Sequence, residues 1–142
     1  MRILCDVNIL ARANERSSGP VRALLLSLLE KGHILLTSSE ILVELARVLR
    51  YPRLQALFGL SEEQIYNYVQ FLREVSQPVI PDYTLRVSIR DPQDIVVLQT
   101  AVSGEADIIC TVDKDFYDVE TIAFCAALGI DVCNDRELAK RV

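Results

Sequence analysis

The sequence predicts an α/β fold with a parallel sheet, and three observations carry that prediction. Short apolar runs without polar alternation recur at Arg2–Val7, His33–Thr37, Ala106–Val112 and Ile130–Cys133. Such runs read as strands buried on both faces. Segments of helical periodicity separate them, the alternation expected of a parallel sheet. Acidic residues, Asp6 and Asp113, stand at the ends of two of the runs, where the carboxyl edge of such a sheet opens a ligand crevice.

The elements follow in order. After Arg2–Val7, the turn Ser17-Ser18-Gly19-Pro20 leads into a helix over Val21–Lys31, closed by Gly32. The second strand, His33–Thr37, is followed by Ser38-Ser39, which caps a helix from about Glu40 to Arg50, stopped before Pro52. Ser61-Glu62-Glu63-Gln64 is a capping box. It opens a helix to about Val75 whose apolar stripe is Ile65, Tyr68, Val69 and Leu72. The segment Arg53–Val75 is expected as an inserted helix pair, possible as a protruding arm. Val79-Ile80 is a weak third strand between Pro78 and Pro81. Asp91-Pro92-Gln93-Asp94 opens a helix that Gly104 stops, and Ala106–Val112 is the clearest strand. Val119–Leu128 reads as a helix, Ile130–Cys133 as the last strand and Asp135–Val142 as a terminal helix.

With 142 residues, 51% of them hydrophobic, the chain is expected to form one domain over residues 1–142 with a full core. No apolar stretch approaches the roughly 20 residues of a membrane span, and no signal peptide is read at the start, so a cytoplasmic protein is expected. Cys5, Cys110, Cys125 and Cys133 form no C-x-x-C pair and lie in apolar stretches; they read as buried free thiols. His33 is the only histidine, which excludes chemistry needing two imidazoles and the H-E-x-x-H zinc motif. A net charge of −5 and a pI near 4.9 exclude a broad electrostatic grip on nucleic acid but leave room for a narrow basic rim.

Four carboxylates are the candidate site. Asp6 ends the first strand, with Asn8 placed to hold the turn or a water. Glu44 falls about 40° from Val48, at the edge of the stripe Ile41, Leu42, Leu45, Val48 and Leu49. A metal or Arg47 is its expected partner. In Asp91-Pro92-Gln93-Asp94, Asp91 fits the cap and Asp94 the ligand, although capping alone explains both. Asp113 ends the Ala106–Val112 strand, with the Thr111 hydroxyl two residues before it. Asp115 and Asp118 read as loop or capping residues, and Asp107 as a structural acid at the opposite rim. Two like charges about 4 Å apart repel by roughly 4 kcal/mol at an effective dielectric near 20. Acids gathered in this way call for a divalent cation, and phosphodiester hydrolysis is chemistry that such a cation serves.

At these residues the chain resembles the PIN domain family. The matching pieces are Leu4-Cys5-Asp6-Val7-Asn8, Ser38-Ser39-Glu40-Ile41-Leu42-Val43-Glu44-Leu45, Asp91-Pro92-Gln93-Asp94 and Thr111-Val112-Asp113-Lys114-Asp115-Phe116. Within the family it is most similar to the toxin components of VapBC-type toxin–antitoxin pairs. The resemblance implies a three-layer α/β/α domain and a Mg²⁺- or Mn²⁺-dependent endoribonuclease acting on single-stranded RNA. It also implies a small antitoxin partner and a homodimer. It assigns the acidic quartet to Asp6, Glu44, Asp94 and Asp113, and polar support to Asn8, Ser39 and Thr111. Ile95 departs from the family pattern, which usually has a polar residue there. From sequence proximity to the quartet, Arg12, Arg16, Arg47 and Lys114 are the candidate RNA-binding rim. Phe116 reads as core, and Tyr117 as able to stack on a base.

Other α/β readings fit less well. Asp6 lacks the adjacent acid of a response-regulator receiver, Asp6-Val7-Asn8 lacks the second acid of a dehalogenase-type phosphatase, and no glycine precedes Gly19 as a dinucleotide fold requires. The alternative of a different class is a catalytically silent PIN-fold domain acting as a protein- or RNA-binding module.

Overall fold

β1 (Arg2–Cys5) forms the centre of the sheet. In this computed structural model, which describes residues 1–142, Ile3 and Leu4 of β1 are fully buried and Cys5 nearly so. β1 pairs in parallel with β2 (Ile34–Thr37) on one side and β4 (Ile108–Cys110) on the other. β3 (Gln77–Pro78) extends the sheet beyond β2, and β5 (Asp131–Cys133) extends it beyond β4, giving the order β3-β2-β1-β4-β5. Every pairing is parallel.

Eight helices flank the sheet. They are α1 (Val7–Arg12), α2 (Pro20–Glu30), α3 (Ser39–Val48) and α4 (Pro52–Phe58), followed by α5 (Glu62–Val75), α6 (Ile95–Ser103), α7 (Val119–Ala127) and α8 (Asp135–Arg141). None is long and apolar enough to cross a membrane. One contiguous core joins strands and helices, with Leu10, Leu36, Leu45, Leu72, Leu98 and Phe116 among its fully buried side chains. Each buried side chain of this size contributes about 1.5–3 kcal/mol.

Four local expectations need correction. The first strand stops at Cys5, because Asp6 caps α1 and Val7 already begins that helix. α1 itself is too short and too uniformly apolar to stand out from the strand before it. The third strand lies at Gln77–Pro78 and not at Val79-Ile80: Ile80 is 89% exposed, and Val79 contributes only its amide, to the Thr37 carbonyl. An edge position tolerates Pro78, which has no donor to offer. The fourth strand spans only Ile108–Cys110 of the expected Ala106–Val112. The Arg53–Val75 insertion is not an arm. Ile65, Tyr68 and Leu72 of α5 are buried in the core, and the Tyr68 hydroxyl donates to the Leu10 carbonyl at 2.6 Å.

The topology fixes where a ligand can sit. The chain runs outward from β1 through β2 to β3, then returns through α6 to place β4 on the other side of β1. The strand order therefore reverses between β1 and β4, and the crevice beyond their carboxyl ends is the expected ligand site of such a sheet. The opposite rim is stapled. Arg2 Nε and Nη2 donate to the Gly104 carbonyl at 2.9 and 2.7 Å, and the Arg2 amide donates to Asp107 Oδ2 at 2.7 Å.

Gly104 is required there by close approach. A Cβ at this position would stand 2.9 Å from Val79 Cγ2 and 3.1 Å from both Leu36 Cδ1 and the Thr100 carbonyl oxygen. Gly104→Ala is expected to destabilise the protein by about 1–3 kcal/mol through overpacking. Urea unfolding should show a lower midpoint with an unchanged slope; an unchanged midpoint would contradict this account of the rim.

Candidate functional site

Asp6 leaves the end of β1 with both carboxylate oxygens engaged. Oδ1 accepts the Val7 amide at 2.8 Å, which makes Asp6 the cap of α1. Oδ2 accepts the Thr111 hydroxyl at 2.7 Å and the Asn8 side-chain amide at 3.2 Å. Asn8 Nδ2 also reaches Thr111 Oγ1 at 3.3 Å, and that same oxygen accepts the Asp113 amide at 3.0 Å. Asn8 and Thr111 thus tie the β1 and β4 exits into one hydrogen-bonded unit. Burial pushes the Asp6 carboxyl above its ordinary range; the Thr111, Val7 and Asn8 donors oppose that shift, and the Asp113 charge adds to it.

Asp94 enters from the other direction, at the N-terminus of α6. Pro92–Asp94 form a single 3₁₀ turn capped by Asp91, whose Oδ1 accepts the Gln93 amide at 3.0 Å. The expected backward cap by Asp94 is absent: its side chain makes no capping hydrogen bond. Instead Oδ2 of Asp94 is buried without any hydrogen-bond partner. Burial pushes the Asp94 carboxyl up to about 8, with Asp113, Asp6 and Asp91 adding to the shift.

Glu44, on α3, projects into the same crevice. A cleft of about 510 Å³ is lined by Asp6, Glu40, Glu44, Asp94 and Asp113, with Arg47 as its only cation. Arg47 is bound to Glu44, Nη2 to Oε2 at 2.5 Å. The structure therefore brings together all four carboxylates singled out in the sequence.

The remaining candidates divide. Arg47 and Asn8 line the cleft. Arg12 does not; it lies one turn beyond Asn8 on α1, where it pairs with Asp135 at 3.3 Å. Arg16 and Lys114 are exposed and outside the cleft lining. Ser39 is exposed at the first turn of α3. The buried hydroxyl at this position is its neighbour Ser38, which caps α3 through the Ile41 amide and accepts the Thr100 hydroxyl of α6 at 3.4 Å. Ser38 thereby links the helices that carry Glu44 and Asp94. Phe116 is fully buried, and the exposed Tyr117 donates its hydroxyl to the Thr111 carbonyl.

Three acids were not singled out. Glu40 lines the cleft one turn before Glu44 and accepts the Tyr83 hydroxyl. Its spacing from Glu44 on one helix was the available signal. Asp91 and Asp115, read as cap and loop, each present a carboxylate oxygen in one group with Asp94, all within 4.8 Å of one another. Nothing in the local sequence ties Asp115 to a helix start more than twenty residues away.

The four thiols are buried and free, and Cys5, Cys110 and Cys133 stand in register across three neighbouring strands.

Comparison with known proteins agrees with this architecture. No curated protein matches the chain in sequence. Among solved structures, the fold is similar to a chain in the crystal structure of VapBC2 from Rickettsia felis bound to a DNA fragment from their promoter. The TM-score is 0.61 and the identity 14%, over 94% of this chain and 98% of that one; at that identity the likeness is one of fold. The family model described as PIN domain matches residues 2–115, a span that contains β1 to β4 and all four cleft carboxylates. The chain belongs to the PIN domain family.

Proposed function

We propose that residues 1–142 form a metal-dependent nuclease domain that hydrolyses phosphodiester bonds of single-stranded RNA, with Mg²⁺ or Mn²⁺ held by Asp6, Asp94, Asp113 and Glu44. One observation carries the reading: Asp94 has a buried, unpartnered oxygen and lines a cleft with five carboxylates in all and one cation, itself already paired. Burying such a group without a partner is costly, and an oxygen-only donor set suits a hard divalent cation. When bound, such an ion would stabilise charge on the phosphate oxygens and make water a better nucleophile.

The chain's own residues supply the rest. Thr111, Asn8 and the Val7 amide hold Asp6 in one orientation, as supporting groups around metal ligands commonly do. Ser38 and Thr100 meet where α3 passes α6, the helices that carry Glu44 and Asp94. Burial and the neighbouring Asp113, Asp6 and Asp91 favour the protonated form of Asp94, so holding an ion there would require that proton to leave. Arg47 is the one cleft cation that can meet a phosphate, and it must share itself with Glu44. The fold likeness to a VapBC2 chain favours a toxin role in the cytoplasm with a small antitoxin partner, and a homodimer as its assembled state.

Cleavage of single-stranded RNA should require added Mg²⁺ or Mn²⁺ and stop in EDTA. Activity that survives excess chelator would refute the reading. Failure of millimolar cation to stabilise the fold would favour the silent binding module; a ligand at about 100 times its dissociation constant adds about 2.7 kcal/mol.

Asp6→Asn, Glu44→Gln, Asp94→Asn and Asp113→Asn should each remove most activity while the protein stays folded. Thr111→Val, which removes only a support, should cost about 10–100-fold. Asp91→Asn should keep most activity, since Asn caps a helix about as well as Asp. An inactive Asp91→Asn beside an active Asp113→Asn would move the ion to the outer group of Asp91, Asp94 and Asp115.

Stability without metal should depend on pH through Asp94. Its carboxyl is raised from 3.8 to about 8, so the folded state binds more protons than the unfolded state between those values. The stabilisation is fully present below the lower value and is lost as pH rises through the upper one. Chelator-treated protein should therefore melt at a lower temperature at alkaline pH than at mildly acidic pH. Asp94→Asn should flatten that dependence; an equally steep profile in the variant would assign it to other groups.

A further inference from the structure

A second groove, of about 750 Å³, opens beside the acidic cleft, one turn further along α1. It shares a wall with that cleft. Val112 lines the groove while Asp113, the next residue, lines the cleft. On α1, Asn8 faces the cleft and Arg12, one turn later, faces the groove. The Val112 amide donates to Asn8 Oδ1 at 3.4 Å, so the divide between the two is a single hydrogen-bonded ridge.

The charge reverses across that ridge. The groove carries Arg12, Arg136 and Lys140 against one acid, Asp135, which Arg12 already engages. Arg136 and Lys140 are exposed, four residues apart on α8, and neither forms an ion pair in the structure. Residues four apart on a helix lie on one face. Pro20, Leu24 and Val112 give the groove an apolar side. In a chain of net charge −5, a cationic trough beside the carboxylates is a local feature and not the general character of the surface. Its α8 wall lies beyond residues 2–115, the span matched to the PIN domain.

We propose that this groove binds the phosphate backbone of the RNA strand on one side of the scissile bond, with Arg136 and Lys140 as its contacts. The proposal rests on the nuclease reading above and deepens it. A strand whose scissile phosphate sits at Asp94 and Asp113 must leave the cleft over one of its walls. The Asn8–Val112 ridge leads it directly from repelling carboxylates to attracting cations. The apolar side suits the faces of ribose and base, while the cations suit the phosphates. Arg12 belongs to the trough but is partly neutralised by Asp135, so the two α8 residues carry the sequence-independent grip.

The test uses the full chain with Asp94→Asn, which binds without cutting, and fluorescent single-stranded RNAs of about 4 and about 16 nucleotides. Binding is titrated across salt with and without Arg136→Gln and Lys140→Gln together. The neutral substitutions are exposed on α8 and leave its capping box at Asn134 and Glu137 intact; a melting curve verifies the fold. Each phosphate contact on a single strand contributes about −0.7 to the slope of log K against log salt. The double variant should therefore flatten the slope for the long RNA by about 1.4 and leave the short RNA unchanged. An unchanged slope for the long RNA would overturn the groove proposal while leaving the nuclease reading standing. Absence of RNA binding by the parent would overturn both. Binding of polyglutamate that the double variant loses, with RNA binding unaffected, would assign the groove to an acidic protein segment and overturn the proposal.

Discussion

Repulsion among Asp94, Asp113, Asp6 and Asp91 is the constraint around which the carboxyl edge of the sheet is organised. Three elements deliver these acids: Asp6 comes from the exit of β1, Asp113 from the exit of β4, and Asp91 and Asp94 from the turn that starts α6. Asp6 cannot retreat, because it directly follows Cys5, which the parallel ladder pairs with Cys110. Asp6 is compensated by donors, but Asp94 is left with a buried oxygen and no donor at all. The fold therefore spends stability at one rim to hold a crowded arrangement of carboxylates.

That cost is carried by a conventional scaffold. Central strands buried on both faces leave no freedom of register, since Ile3, Leu4, Ile108 and Ile109 are fully enclosed and paired. Reversal of strand order between β1 and β4 then leaves a crevice that no crossover covers. Long-range hydrogen bonds such as Thr111 to Asp6 and Asn8 to Thr111 tie the elements around that crevice at a scale that the ladder alone cannot reach.

Much of this was legible in the chain because parallel strands write themselves as unbroken apolar runs. The strands at Arg2, His33, Ala106 and Ile130 and the acids ending two of them follow from that alone. What escaped reading has physical causes. α1 follows β1 without a loop, and Val7, Ile9, Leu10 and Ala11 look the same to a periodicity argument in either state. β3 has two residues, one a proline, at an edge where few ladder bonds constrain the sequence. The α5 stripe was visible, but which surface received it was not. The grouping of Asp115 with Asp91 and Asp94 arises from tertiary placement, and so does the pairing that draws Arg12, one turn beyond Asn8, away from the cleft toward Asp135.

The rim opposite the cleft has its own implication. Arg2 ties the start of β1 to Gly104 and Asp107 through side chain and main chain together, whereas the far ends of β1 and β4 terminate in crowded charge. The same strands are thus clamped at one end and frustrated at the other. Local opening without a cation should fray from Cys5 and Cys110 toward Ile3 and Ile108, giving amide protection that rises along each strand toward its amino end. A cation would level that gradient, so ion binding would register as cooperativity along the sheet as well as chemistry at its edge.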